Sequence, residues 1–323
     1  MRLRNTLLLA VVFILLGAYV YLFEFKKEQE EKSEKLLRFK EEKVESLILS
    51  TPEQEIRLKK EPSGKWQMTH PLEAAADEST VSSILSALNA SEVQRTIEKK
   101  PSLEDLKTFG LDQPEVKVFI TLQKGISLPP ILVGGKSPVG NSAYVKRGTE
   151  PGVLLTSASL PSSLKKRLYD FRDKEILPFS RDLVTKLQIH TPKESLVVVK
   201  GEKEEWKVEA PKKGKAKEGV VADYLMTLAH LRAKGFVEDE AKDIKKYGLD
   251  RPTLKISLEA KDGKNLGTFL VGDKTKEDYY AKREGNPAVY TIEPFSYNQL
   301  DKQVADFLQE EKKESPAPSE PKK

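Results

Sequence analysis

Apolar residues at Val81, Ile84, Leu85 and Leu88 recur at i, i+3, i+4 and i+7, which predicts an amphipathic helix with one buried stripe. The same stripe returns at Val221, Tyr224, Leu225 and Leu228. Ahead of the first helix, Val44 to Leu49, Ile56 to Leu58 and Lys65 to Thr69 read as short strands, with Pro62-Ser63-Gly64 as a turn. Behind it a short helix runs to Phe109, strands follow near Val116 to Leu122, Pro130 to Val133, Ala143 to Arg147 and Val153 to Leu155, and Leu160 to Leu168 closes the unit. Clusters of strands with hairpin spacing, interrupted by helices, predict an α+β fold rather than a doubly wound parallel sheet.

This order is written twice. Phe109-Gly110-Leu111-Asp112-Gln113-Pro114 and Tyr247-Gly248-Leu249-Asp250-Arg251-Pro252 each end a helical run and precede a strand-like one. Glycine tolerates the left-handed backbone of a helix C-cap, and the proline stops the helix from resuming. Trp66 and Trp206 stand 140 apart, as do Pro71 and Pro211; Val133-Gly134 and Val271-Gly272 stand 138 apart, and Tyr144 and Tyr280 stand 136 apart. The shrinking offset predicts small deletions in loops and two tandem domains, 44–179 and 184–308, each long enough to bury a core. Between them Ile176-Leu177-Pro178-Phe179 is apolar, which predicts a packed linker and a fixed angle between the domains.

The N-terminus reads differently. After Arg2 and Arg4, an uncharged run from Leu7 to Phe23 spans about 26 Å as a helix. With aromatic residues at its end, it predicts a transmembrane anchor within residues 1–25; a cleaved signal peptide is the rival reading. Residues 26–43 read as a charged helical stalk with too few apolar positions for a coiled-coil seam, and 309–323 as a disordered tail. Seven Lys or Arg between Glu24 and Lys43 favour a cytoplasmic body, but seven glutamates accompany them and large domains translocate largely regardless of charge.

Composition narrows the function classes. The 55 basic and 50 acidic residues are interleaved, so the net charge of +5 makes no coherent field for a nucleic acid. Without cysteine there is no disulfide, thiolate nucleophile or cysteine zinc site.

Candidate chemistry is sparse. Gly134-Gly135-Lys136-Ser137 looks like the end of a phosphate-binding loop, but Pro130 occupies the place of the required glycine, and Pro138 and Gly140 spoil the following helix. With Gly272-Asp273-Lys274-Thr275 in the second copy, it reads as a turn between strands. His70, His190 and His230 align with Ala210, Ser50 and Ala90, so none belongs to a repeated site. Asp112 and Asp250 read as turn caps, although a carboxylate pair is the alternative. Trp66 and Trp206 read as core, with a stacking platform for a sugar as the alternative. Tyr144 with Lys146, and Tyr280 with Lys282, share a strand face that is solvated or a polar recognition surface. The loop after the Trp-Pro segment carries Glu73, Asp77 and Glu78 in the first copy and Lys212, Lys213, Lys215 and Lys217 in the second, the clearest charge contrast between the copies. No catalytic, cofactor-binding or metal-binding residue is assigned, no cofactor is expected, and no small-molecule ligand is identified.

Trp then Pro, the amphipathic helix, the aromatic-Gly-Leu-Asp-x-Pro motif, the Leu-Val-Gly segment and the Tyr-x-Lys strand, in that order and twice over, resemble the bacterial domain of unknown function 4340 family. The resemblance implies a membrane-anchored extracytoplasmic companion of an ABC-type transport system of the gliding-motility kind, with no catalytic residues to carry over. The expectation is therefore a non-catalytic, single-pass inner-membrane protein with a cytoplasmic N-terminus and a periplasmic or extracytoplasmic body, acting as a binding or scaffold component beside transporter subunits. A cell-envelope glycan or lipid binder and an uncharacterised enzyme are the alternatives.

Overall fold

The computed structural model describes residues 13–19, 34–148, 150–202 and 204–309. They form a sheet-rich α+β protein in two compact units, which meet in the sequence between Asp173 and Lys174. Residues 13–19 are helical and exposed, and the rest of the expected anchor lies outside the described residues, as does nearly all of the expected tail. Among the described residues no helix is long and apolar enough to cross a membrane.

The first unit begins with β1 (Glu34–Lys35) and continues through β2 (Val44–Ser50), β3 (Glu55–Lys60), β4 (Trp66–His70) and β5 (Ala74–Ala75) to helix α1 (Glu78–Ala90). Next come β6 (Glu92–Val93), β7 (Arg95–Glu98), α2 (Leu103–Thr108), β8 (Val116–Leu122), β9 (Ile126–Ser127), β10 (Ile131–Lys136), β11 (Ser142–Arg147), β12 (Val153–Ser157), α3 (Ser159–Leu164) and α4 (Leu168–Phe171). Its main sheet runs β5-β4-β3-β2-β8-β10-β11-β12-β7, with β9 beside β8. Period-two burial on β2 and β8 sends Leu47, Leu49, Val116, Val118 and Ile120 to one face, joined by Val44 across a register shift, where they meet the α1 stripe of Val81, Ile84, Leu85 and Leu88.

The second unit follows the same succession. It has β13 (Lys186–His190), β14 (Ser195–Lys200), β15 (Trp206–Ala210), β16 (Gly214–Lys215), α5 (Glu218–Ala229), β17 (Gly235–Glu238), a 3-10 turn (Lys245–Tyr247), β18 (Leu254–Glu259), β19 (Asn265–Lys274), β20 (Tyr279–Arg283), β21 (Val289–Ile292), α6 (Pro294–Leu300) and α7 (Val304–Phe307). Its sheet runs β16-β15-β14-β13-β18-β19-β20-β21-β17. The core again lies between the sheet and the helices, with Val221, Tyr224, Leu225, Leu228, Leu300 and Phe307 packed on Leu187, Ile189, Leu254 and Ile256.

The sequence motif lies on the opposite face of each sheet. Gly110 and Gly248 adopt φ of 66° and 67°, the left-handed conformation expected of a helix C-cap. The turn lays Phe109 on Tyr144 and Tyr247 on Tyr280, with ring centroids 4.5 and 4.8 Å apart. In the second unit Tyr247, Leu249, Leu270 and Val289 make a small buried cluster of their own there. This contact explains the repeated Val-Gly. A Cβ on Gly134 would stand 2.3 Å from the Phe109 carbonyl oxygen, and one on Gly272 would stand 2.0 Å from that of Tyr247. Both glycines lie within strands, β10 and β19, beside register shifts, so the expected turn between strands is corrected: the backbone approach requires glycine, not a bend.

Two further expectations are corrected. Residues 34–43 are not part of a helical stalk: β1 pairs with β6, Leu36 and Leu37 are 1% and 7% exposed in the first core, and Arg147 donates to the Lys35 and Leu36 carbonyls at 2.9 and 3.0 Å. Two adjacent leucines hold the segment down because burying them stabilises it by about 1.5–3 kcal/mol each, which outweighs the stalk-like charge around them. Likewise Ile176 and Leu177 belong to the second unit's core rather than to a linker, and Glu175 bridges to Arg232 as Glu34 and Lys35 pair with Val93 and Glu92. The offset of 140 that joins Leu36-Leu37 and Phe39 to Ile176-Leu177 and Phe179 is the signal that marks both segments as the same leader.

Replacing Gly134 or Gly272 with Ala should push the motif off the sheet and destabilise the affected unit by about 2–3 kcal/mol or more. Gly219→Ala serves as a reference, since nothing lies within 4 Å of its Cβ position and its φ is outside the left-handed region. Urea unfolding monitored by tyrosine and tryptophan fluorescence measures both.

Candidate functional site

The side chains that the sequence offered for chemistry are dispersed by the fold. His70, His190 and His230 are all exposed: one ends β4, one ends β13 and one follows α5. The His190 ring lies 2.6 Å from the Ser195 hydroxyl through Nδ1, and that of His230 lies 2.9 Å from the Met226 carbonyl. Among the described residues no group of three or more His, Cys, Asp or Glu is placed to hold a metal ion. Asp112 and Asp250 are exposed in separate units, and neither side chain caps its turn; the reciprocal side-chain cap near the first motif, Ser102 with Asp105, is at the start of α2.

Trp66 is buried in the first core, and Trp206, half-buried, packs on the second. Both indoles pack on the cores of their units, and Trp206 keeps part of its surface open. Tyr144 and Tyr280 do share a face with Lys146 and Lys282, but the motif covers the tyrosines, so the expectation of a solvated or recognition face is corrected. Each lysine reaches back to the turn that follows its strand. Lys146 donates to the Gly148 carbonyl at 2.6 Å, and Lys282 donates to the carbonyls of Asn286 and Ala288, its ammonium made less basic by burial.

In the second unit the motif is also clasped from its side. Tyr247 donates to Glu238 on β17 at 2.7 Å, and Lys246 pairs with the same carboxylate at 2.9 Å. Lys246 first, and Tyr247 second, hold the Glu238 carboxyl below the usual carboxylate range. This clasp is formed above the ordinary glutamate pKa and is lost as pH falls through the lowered one.

The charge contrast between the two units survives in a changed form. Asp77 is buried and caps α1, accepting from the Thr80 N–H at 2.9 Å and the Ser79 hydroxyl at 2.6 Å, while Glu78 accepts from the Trp66 N–H at 2.6 Å. Two of the three acidic groups therefore hold the first unit together. On the other side Lys212, Lys213, Lys215 and Lys217 are all exposed along the β16 edge, and Lys217 is the N-cap of α5 with no side-chain cap bond. A cation at a helix N-terminus opposes the macrodipole, and the Lys217 ammonium reaches instead to the Ala305 carbonyl at 3.4 Å. Lys207 and Lys215 stand directly opposite each other in the β15–β16 pair, with Glu205 3.7 Å from Lys215.

The open sheet faces differ as well. Ile48 and Phe119 are cross-strand partners in the first unit, with Phe119 41% exposed; Gln188 and Ser257 pair at the matching place in the second. Sequence reading missed this contrast, although strand alternation places all four on the face away from the helices.

A family described as a domain of unknown function (DUF4340) matches residues 66–242 and 206–314, together more than half of the chain, with matches that begin at Trp66 and Trp206. The chain belongs to the DUF4340 family. No curated protein and no solved structure matches it. Within this DUF4340 chain, the tryptophans that open the two matched segments are packing residues, and the surfaces that differ between the units carry the distinguishing chemistry.

The two helix starts give a test with opposite signs. Asp77→Ala should lower stability by about 1 kcal/mol or more, whereas Lys217→Asp, which supplies the missing cap, should raise it by about 1 kcal/mol. Chemical denaturation of both variants checks this, and equal signs would contradict it.

Proposed function

We propose that this DUF4340 protein is a non-catalytic, membrane-anchored binding or scaffold component, built by tandem duplication and working beside an ABC-type transporter outside the cytoplasm. The observation that carries the binding reading is the pairing of one scaffold with two unlike surfaces. Strand order, motif contact, leader and helix-side core are common to both units. The exposed lysine edge at 212–217 and the apolar Ile48–Phe119 pair are not. Retained packing with divergent exposed chemistry suits two docking surfaces for different partners better than one reaction centre, which needs titratable groups brought together.

The membrane reading rests on the uncharged run from Leu7 to Phe23 behind Arg2 and Arg4. An anchor confines the chain to the bilayer and raises the effective concentration of partners that share it, so modest affinities suffice. Placement of the body outside the cytoplasm and the transporter partnership follow from the family resemblance.

Affinity purification of the full-length chain in mild detergent should recover transporter subunits, and a chain lacking residues 1–33 should lose most of them while keeping the Leu36-Leu37 leader and a folded body. Recovery of the full-length chain alone, together with saturable binding to isolated cell-wall glycan, would favour the glycan reading instead.

A further inference from the structure

The second unit has a cavity of about 440 Å³ where its motif loop meets the open sheet face, a size suited to a small ligand. A single cross-strand row builds its floor: His190 at the end of β13 lies opposite Lys255 on β18, which lies opposite Leu270 on β19. The motif loop supplies the facing wall with Leu249, Asp250 and Arg251, and Glu284 follows β20. Charges of both signs open on this space. Asp250 and Arg251 are exposed, and neither has a hydrogen-bond or ion-pair partner among the described residues. Lys255 has only a long contact to Glu284, at 3.4 Å. Leu249 and Leu270 between them are buried and apolar.

The other unit sets the comparison. Its row is Ser50, Lys117 and Leu132, so the lysine and leucine recur while serine replaces the histidine. Its loop reads Asp112-Gln113, and the offset of 136 places Gly148 where Glu284 stands. The packing leucines and one lysine thus belong to the scaffold, whereas Arg251, His190 and Glu284 are particular to the second unit. None of the three is needed to hold the motif on the sheet, since the first unit does so without them.

We propose that this cavity binds a small zwitterion of the amino-acid or short-peptide class. The Arg251 fork and Lys255 take the carboxylate, and Asp250 and Glu284 take the ammonium. Planar bidentate pairing suits arginine to a carboxylate, and an unpaired acid beside it supplies the second pole. A plain anion would leave Asp250 and Glu284 facing like charge, which disfavours it. The site is independent of the transporter reading: it stands or falls on this unit alone.

Calorimetric titration of the full-length chain with L-alanyl-L-alanine tests it. Saturable binding is expected, with the N-acetylated dipeptide, the dipeptide amide and inorganic phosphate each at least about tenfold weaker. Arg251→Gln, which copies the first unit, and Asp250→Asn should each weaken the dipeptide about tenfold at an unchanged melting temperature, because both side chains are exposed and unpaired. Phosphate or N-acetylated dipeptide binding as tightly as the free dipeptide would overturn the proposal. So would unchanged binding in both variants, or no saturable binding up to about 10 mM.

Discussion

The closest constraint in each unit is the approach of two backbones, a strand glycine against the carbonyl of the aromatic residue that opens the motif. With 2.3 and 2.0 Å between a notional Cβ and those oxygens, only glycine fits at 134 and 272. From this contact the rest follows. The left-handed Gly110 or Gly248 turns the chain so that Leu111 or Leu249 is buried, and the aromatic ring lies on the next strand's tyrosine. The sheet is then covered on its second face along part of its width, and the remaining width is left for exposed chemistry. An antiparallel sheet with one face in the core and the other partly solvated has just this freedom.

Much of the fold was legible because its signals are local. The α1 and α5 stripes, the alternation on β2, β8 and β18 and the glycine caps follow from periodicity and backbone preference. What escaped was set by tertiary contact. The Val-Gly pair read as a turn because glycine is the common turn residue, and nothing local announces that a carbonyl will pass within van der Waals distance. The leader at 34–43 read as a stalk because its charges outnumber its apolar residues, yet Leu36 and Leu37 decide its fate through burial. The edge strands β5 and β16 are two residues long, too short for any periodic signal.

For function, subtracting one unit from the other separates packing from surface. Trp66, Trp206, Lys146, Lys282, Asp77 and Glu78 all looked like candidates for recognition, and each has an internal duty. Exposed residues without such a duty, and without a like residue in the other unit, stand apart: the lysines at 212 and 213, Phe119, and Arg251. The other unit builds the same strand order without these residues, so stability of the fold does not explain their presence.

If the account is right, amine-reactive cross-linking in intact cells followed by mass spectrometry will place intermolecular links to other membrane proteins at Lys212, Lys213 and Lys215, in excess over Lys59 and Lys60 on β3 and Lys65 just ahead of β4 in the first unit. Equal yields at the two sets of lysines, or links confined to this chain, would contradict the claim that the divergent edge is where the protein meets its partner.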